Sequence, residues 1–411
     1  MEEIFVECGC GLDVHQSSLV ACVLSGSPYS KPNKQIRRFG TMPADLAALR
    51  QWLREVGCTA VAMESSGVYW IPVYAALEAD IELFVANPLR IKQIPGRKSD
   101  VKDCEWLARL LRQGNMPKSF VPPEPIRRLR ELVRFRRKMV QRAASQRNRV
   151  IKELELAGVK LASVASDVFG ASGRAMLRAL VKGSASPAEM AALAKASLRR
   201  KLTELEIALS VPLAEHQRFI LAIALESLEH DETRIAQVEG EIEWRLEPYR
   251  TQQQLLMRIP GIDRIIAASI IAEIGVDMSA FEDVAHLASW AGICPGLNQS
   301  SDKRLSTHIG RGNPFLKAVL VQAAVTGCRK RGSYLKDKFF RLKARRGFRR
   351  AAVAMARKIL VIAYYMLKSG RPYQDLGDTY LDRLSRSRTK RNLVRRLEGL
   401  GYKVHLTPLA A

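Results

Sequence analysis

The sequence contains no apolar run near the roughly 18 residues of a membrane span, so no membrane partner is expected. A disulfide framework is missing too. The seven cysteines are odd in number and scattered, which fits reduced cytosolic thiols. Cys8 and Cys10 have the wrong spacing for a zinc knuckle, and no second pair answers them. The opening Met1-Glu2-Glu3-Ile4 carries no basic stretch of a secretory signal, so a cytoplasmic location is expected. Acid is what the chain has least of. Its 411 residues hold 41 Asp and Glu against 66 Lys and Arg, a net charge of +25 with a pI near 10.1. That balance argues against an ordinary metabolic enzyme and for a polyanionic partner, most simply nucleic acid. With 47% hydrophobic residues the chain builds real cores and is no disordered basic tail.

The excess charge is concentrated. Residues 121–150 carry ten basic and two acidic residues, and residues 329–358 carry thirteen and one. These two segments supply +20 of the +25. Single-signed runs repel themselves and need compensation, which phosphates would give. Arg127, Arg128, Arg130, Arg134, Arg136 and Arg137 in the first segment are candidate nucleic-acid contacts. So are Arg345, Arg346, Arg349 and Arg350 in the second.

Along the chain, apolar patterning predicts strands over 3–13, 18–25 and 34–41, a helix over 44–56, and a strand over 59–65. A helix starting near Ile71, a strand over 81–88 and a helix over 100–113 follow. This is an α/β pattern with a mixed sheet. Pro117, Pro122, Pro123 and Pro125 mark a boundary, after which a long basic helix over 126–157 is predicted. A loose Ala/Ser/Gly-rich region, 158–188, precedes helical sequence to Tyr249 that breaks near Pro212. There Ile220, Ile223, Leu228, Ile235, Val238 and Ile242 have heptad-like spacing, suiting a coiled coil or simple bundle packing. LLMRIPGIDRIIAASIIAEIG is similar to a helix-hairpin-helix with its turn at Pro260-Gly261, a turn type that offers backbone N–H groups to phosphate. The expected organisation is a catalytic domain over 1–120, a helical coiled-coil insertion over 121–250, and a mainly helical domain over 251–411 with a basic tail.

Four carboxylates stand at element ends. Asp13 closes the first strand and Glu64 the fourth. Asp100 and Asp103, three residues apart, share one side of a helix turn. In a ribonuclease-H-like sheet the first and fourth strands are neighbours, so Asp13 and Glu64 would meet. Clustered carboxylates repel unless cations lie between them, and Mg²⁺ or Mn²⁺ takes such oxygen ligands. Two such ions clamp the attacking and leaving oxygens of a phosphodiester. Each carboxylate alone is a common turn or helix-start residue.

Asp13 in GLDVHQ, Glu64 in AMESSGVYW and the pair in GRKSDVKDCEWLARLL resemble the DEDD transposases of bacterial insertion sequences, a family that includes the pilin-gene invertase. LMRIPGID, LASWAGICPG and IGRGNPFLKAVLVQAA resemble its C-terminal transposase domain. The resemblance implies a RuvC-like N-terminal fold and a serine nucleophile in the polar loop after Pro295-Gly296. By alignment that serine is Ser300, with Ser301 the alternative and Ser306 a third candidate. Asp302 stands where the family commonly has Gly. Lys303, Arg304 and Arg311 would neutralise phosphate there. The resemblance further implies donor and target DNA as substrates, in some members a guiding bridge RNA, and a dimer or tetramer in which the serine of one subunit completes the carboxylate site of another. A junction-resolving nuclease that uses only carboxylates and water is the alternative activity. A non-catalytic nucleic-acid scaffold is a third reading, which the intact carboxylates argue against.

Overall fold

A computed structural model describes residues 6–27, 30–91, 94, 103–295, 298–300, 303–306 and 309–407. The chain divides into two compact units, Met1–Val121 and Pro122–Ala411.

The first unit is a five-stranded sheet with helices on both faces. Its strands are β1 (Cys8–Val14), β2 (Ser18–Ser25), β3 (Asn33–Gly40), β4 (Ala60–Glu64) and β5 (Glu82–Ala86), in the order β3-β2-β1-β4-β5. The first three strands are antiparallel, while β4 runs parallel to both β1 and β5. Strand period decides the faces. Cys10 and Leu12 of β1 join Val61 and Met63 of β4 in a core with Leu46, Leu49 and Leu53 of α1 (Pro43–Glu55) and Val73 and Leu77 of α2 (Trp70–Leu77). Ala60 and Ala62 look the other way. After a short α3 (Pro88–Ile91), they pack against Leu107, Leu110 and Leu111 of α4 (Asp103–Arg112). The edge strand β3 is almost wholly exposed and bears Lys34, Arg37 and Arg38, charges that discourage pairing with another sheet.

The alternate residues of β1 on the α4 side are Gly9 and Gly11. A Cβ on Gly11 would lie 2.0 Å from the Cys104 carbonyl and 2.6 Å from the Ala108 nitrogen. A Cβ on Gly9 would meet Leu111 at 3.2 Å. The two glycines therefore let α4 lie directly on β1, and they set it antiparallel to the strand. Its first residue, Asp103, comes to the end of β1 that carries Asp13.

The second unit is helical apart from a small hairpin. The helices α5 (Glu124–Leu156) and Glu215–Leu246 pack along each other, and the pairs Arg136–Glu239 and Arg142–Asp231 show them antiparallel. On Glu215–Leu246 the buried stripe is Leu221, Ala224, Leu225, Leu228, Asp231, Ile242 and Leu246. Ile220 and Ile223 of the predicted heptad face outward. The region 158–188 is not loose. Helices Leu161–Val164 and Ala171–Lys182 bury Leu161, Met176, Leu177 and Leu180 against Val150 and Leu154 of α5. Helix Pro187–Ala192 opens on Ser186, which accepts the Glu189 N–H, in a reciprocal cap.

The Pro260-Gly261 turn does join two helices, Arg250–Leu256 and Arg264–Ile274. It is closed rather than open to phosphate. Cβ atoms on Gly261 and Gly327 would strike the Ala323 and Pro260 carbonyls at 2.3 and 2.2 Å, so the turn is packed against helix Pro314–Gly327. Asp263 serves there as a cap, accepting the Ile266 N–H at 2.8 Å. Helices Tyr334–Arg346 and Phe348–Ser369 meet at Gly347, whose φ of +78° lets the chain turn between them. Among the described residues no helix is long and apolar enough to cross a membrane.

Candidate active site

Three of the four predicted carboxylates come from one end of the first unit. The β1–β4 register pairs Gly11 with Ala62 and Leu12 with Met63, so one further step sets Asp13 beside Glu64. By strand alternation Asp13 follows Gly9 and Gly11, and Glu64 follows Ala60 and Ala62, onto the face that α4 covers. Asp103 is the first residue of α4 and exposed. Asp13 and Glu64 are each half-buried. Asp100 lies outside the described residues. Among the described residues, no group of three or more His, Cys, Asp or Glu side chains is gathered closely enough to hold a metal ion. The donors on this face are carboxylate oxygens, the chemistry a hard divalent cation takes.

Neighbouring groups shape this end. His15 Nε2 is 3.3 Å from Asp13 Oδ2, a contact the sequence reading missed. The Asp-x-His spacing at a strand end was the available signal, because residues two apart share a face. Ser66 Oγ lies 3.5 Å from Glu64 Oε2. Glu105 is buried, accepts from Arg109 at 2.6 Å and pairs with Lys34 of β3 at 3.2 Å. The Arg109 hydrogen bond, with Lys34 beside it, holds its carboxyl below the usual range. Cys104 follows Asp103 and faces Cys22. Their thiol contact is the main cause that lowers the Cys104 thiol, while the negative charge of Asp13 works against it. Arg112 pins the far end of α4, donating to the Gly26 carbonyl at 2.6 Å.

The polar loop of the second unit is a β-hairpin, β6 (Asn298–Ser300) and β7 (Lys303–Ser306), in which Ser300 pairs with Lys303 and Asn298 with Ser306. Ser301 and His308 lie outside the described residues. Lys303 and Arg304 are on β7. The base of the hairpin is closed by the Pro295–Ile309 bridge and by the backbones of Gly292 and Gly312, which approach too closely for any Cβ. Lys317 Nζ adds hydrogen bonds to the Gly310 and Arg311 carbonyls at 2.9 and 3.1 Å. The Arg311 side chain is exposed. Asn313 caps helix Pro314–Gly327 by accepting the Phe315 and Leu316 N–H groups.

The two basic segments differ in character. In α5 much of the charge is directed inward. Arg134 makes a two-pronged pair with the buried Glu273 at 2.7 and 2.8 Å. Arg130 donates to the Ala272 and Glu273 carbonyls at 3.0 and 2.8 Å, and burial lowers its pKa to about 10. Asn313 Nδ2 reaches Glu273 at 2.6 Å. Arg136 pairs with Glu239 and Arg128 with Glu124, while Arg137 lies over the Phe315 ring. Arg127 donates to the Pro122 carbonyl at 3.0 Å. Around Gly347 the opposite holds. Arg345, Arg346, Arg349 and Arg350 are all exposed, and among the described residues none pairs with a carboxylate.

Comparison with known proteins follows the same two segments. Residues 10–158 match the model of the IS110-type DEDD transposases, described as "Transposase". Residues 253–339 match the model described as "Transposase IS116/IS110/IS902 family". A curated relative, the transposase for insertion sequence element IS1111A of Coxiella burnetii, is 31% identical over 125 residues, covering 29% of this chain and 34% of the relative. The pilin gene-inverting protein of Moraxella bovis is 26% identical over 157 residues, covering 36% of this chain and 48% of that protein. The matches thus span about a third to a half of the length of these relatives.

Proposed function

We propose that this chain is the transposase of an insertion sequence, cutting and rejoining DNA strands in the cytoplasm; the two segments similar to IS116/IS110/IS902-type transposases support that reading. The observation that carries this reading is that Asp13, Glu64 and Asp103 all come from one end of a sheet ordered β3-β2-β1-β4-β5, on β1, β4 and the start of α4. That order, with β1 between an antiparallel and a parallel neighbour, supports a ribonuclease-H or RuvC-like reading of the first unit.

In this reading Asp13, Glu64 and Asp103, with Asp100, hold one or two Mg²⁺ or Mn²⁺ ions. When bound, the ions supply charge neutralisation and Lewis-acid activation at the phosphodiester. The side chains do the positioning. Adjacent parallel strands carry Asp13 and Glu64, and the glycine seat of α4 brings Asp103 to the same end of the sheet. His15 orients the Asp13 carboxylate through the 3.3 Å contact.

The hairpin serine is the proposed nucleophile. Ser300 Oγ bonds to phosphorus, a bridging P–O bond of the strand breaks, and the freed deoxyribose oxygen takes up a proton as the serine loses one. The phosphoserine ester conserves the bond for a second strand, with Lys303, Arg304 and Arg311 near the phosphate. Exposed arginines around Gly347 hold nucleic acid, DNA or a guiding RNA from the same element. A dimer or tetramer is the working assembly.

The test measures Mg²⁺-dependent cleavage and covalent protein–DNA adducts on DNA carrying the element's ends. Asp13→Asn is expected to abolish cleavage and to weaken Mn²⁺ binding seen by electron paramagnetic resonance. Ser300→Ala is expected to abolish the adduct while DNA binding persists. Cleavage that survives Asp13→Asn refutes the carboxylate site. Cleavage that survives Ser300→Ala, with no adduct in the wild type, replaces the transposase chemistry by that of a metal-dependent junction nuclease.

A further inference from the structure

A recess of about 360 Å³ lies beside the C-terminal half of helix Phe348–Ser369. It is built by a fold-back. Gly370, at φ +68°, ends the helix, and the Asp375 carboxylate then accepts the Tyr334 and Gly377 N–H groups at 2.9 and 3.0 Å. The returning segment lays Arg371 and Tyr373 opposite Tyr334, Lys358 and Tyr365.

The lining has a definite chemistry. Tyr365 is 55% exposed, and its ring is steadied by an edge contact with Tyr364 at 5.3 Å. Lys358 Nζ sits 5.8 Å over the Tyr334 ring. Neither Lys358 nor Arg371 has a carboxylate partner among the described residues. From Lys338 to Gln374 the chain has no Asp or Glu at all. The Tyr373 hydroxyl is buried without a hydrogen-bond partner, and burial is the main cause that pushes its pKa up.

An occupant must bring a flat face for Tyr365 and an anionic group for two cations. A nucleotide with its base out of the stack meets both demands, whereas a base within a closed duplex has no free face to offer. We infer that this recess binds an unpaired base of a nucleic-acid strand, stacked on Tyr365, with its phosphate held by Lys358 and Arg371. The inference rests on the nucleic-acid reading of the protein and adds strand-state selectivity to it.

The experiment uses the full chain in EDTA with two probes of one sequence containing 2-aminopurine, a single strand and a perfectly matched duplex. Wild-type protein is expected to bind both and to change the 2-aminopurine fluorescence only in the single strand. Tyr365→Ala should weaken single-strand binding about tenfold, within the range for loss of one base–aromatic stack, and abolish the fluorescence change. Its duplex affinity should stay within about twofold. Tyr365→Phe, which keeps the ring, should behave as wild type. Unchanged single-strand binding by Tyr365→Ala, or an equal loss for both probes, overturns the recess. Wild-type protein that binds neither probe refutes the nucleic-acid reading itself.

Discussion

Replacing Gly11 by Ala tests how the fold sets the carboxylates. The new Cβ would lie 2.0 Å from the Cys104 carbonyl oxygen and 2.6 Å from the Ala108 nitrogen. Both are backbone atoms, so no side chain can rotate aside. Restoring an ordinary contact of about 3.4 Å at Cys104 moves the start of α4 away from β1 by 3.4 − 2.0, about 1.4 Å. Asp103, one residue before Cys104, moves with it, while Asp13 and Glu64 remain on their strands. The overpacking should cost about 1–3 kcal/mol of stability. The functional cost is of similar size, because a misplacement of about 1 Å at a reacting centre can cost on the order of 10²-fold, about 2.7 kcal/mol. Chemical denaturation, Mn²⁺ titration and cleavage would be measured on one preparation. We expect a folded protein with a lowered midpoint, weakened Mn²⁺ binding, and cleavage reduced about 10²-fold. Gly240→Ala is the control, because a Cβ there meets nothing within 4 Å and should stabilise its helix by about 0.5–1 kcal/mol. Wild-type Mn²⁺ affinity and cleavage in Gly11→Ala would refute the claim that α4 position controls the site.

Two further outcomes follow from the second unit. Glu273→Ala removes the partner of Arg134 and leaves the largely buried Arg130 without its carboxylate; about 3–5 kcal/mol should be lost in urea denaturation. Asp231 is buried, and the hydrogen bonds from Arg142 hold its carboxyl below its ordinary value. Its folded pKa is depressed, so the stabilisation is fully present above about pH 4 and disappears as pH falls through the folded value. Asp231→Asn should lower stability at pH 7 and flatten that acid limb, and an unchanged acid limb would show that the pair does not matter.

The sheet of the first unit was legible because its cues are local. The predicted strand over 18–25 matches Ser18–Ser25, and the helix over 44–56 differs by one residue at each end, since Pro43 starts it and Val56 caps it. The placement of Asp13 beside Glu64 needed the strand order, which depends on pairing between residues far apart in sequence. What could not be read was the partner of each charge. Nothing local to RIPGID says that the turn will be closed by Gly327, and nothing in the run RRLRELVRFRR says that Glu273, more than a hundred residues later, will take two of its arginines. The region 158–188 looked loose because small residues have weak periodicity, yet its short helices bury Leu161, Met176, Leu177 and Leu180 with Val150 and Leu154 of α5.

This difference between charge present and charge available can be measured. The α5 segment has ten basic residues over 121–150. However, Arg128, Arg130, Arg134, Arg136, Arg142 and Arg147 all have carboxylate partners within the protein. A cation already neutralised releases no counterion from DNA, so it adds nothing to the salt dependence of binding. The arginines around Gly347 have no such partner among the described residues. Each phosphate contact contributes about −0.9 to the log–log slope for duplex DNA. Arg349→Ala with Arg350→Ala should therefore make the slope shallower by about 1.8 and leave the melting profile almost unchanged. Arg134→Ala should do the reverse, lowering stability while leaving the slope alone. Equal slope changes in both variants would show that the α5 ion pairs open on DNA, and that the whole +25 faces the nucleic acid after all.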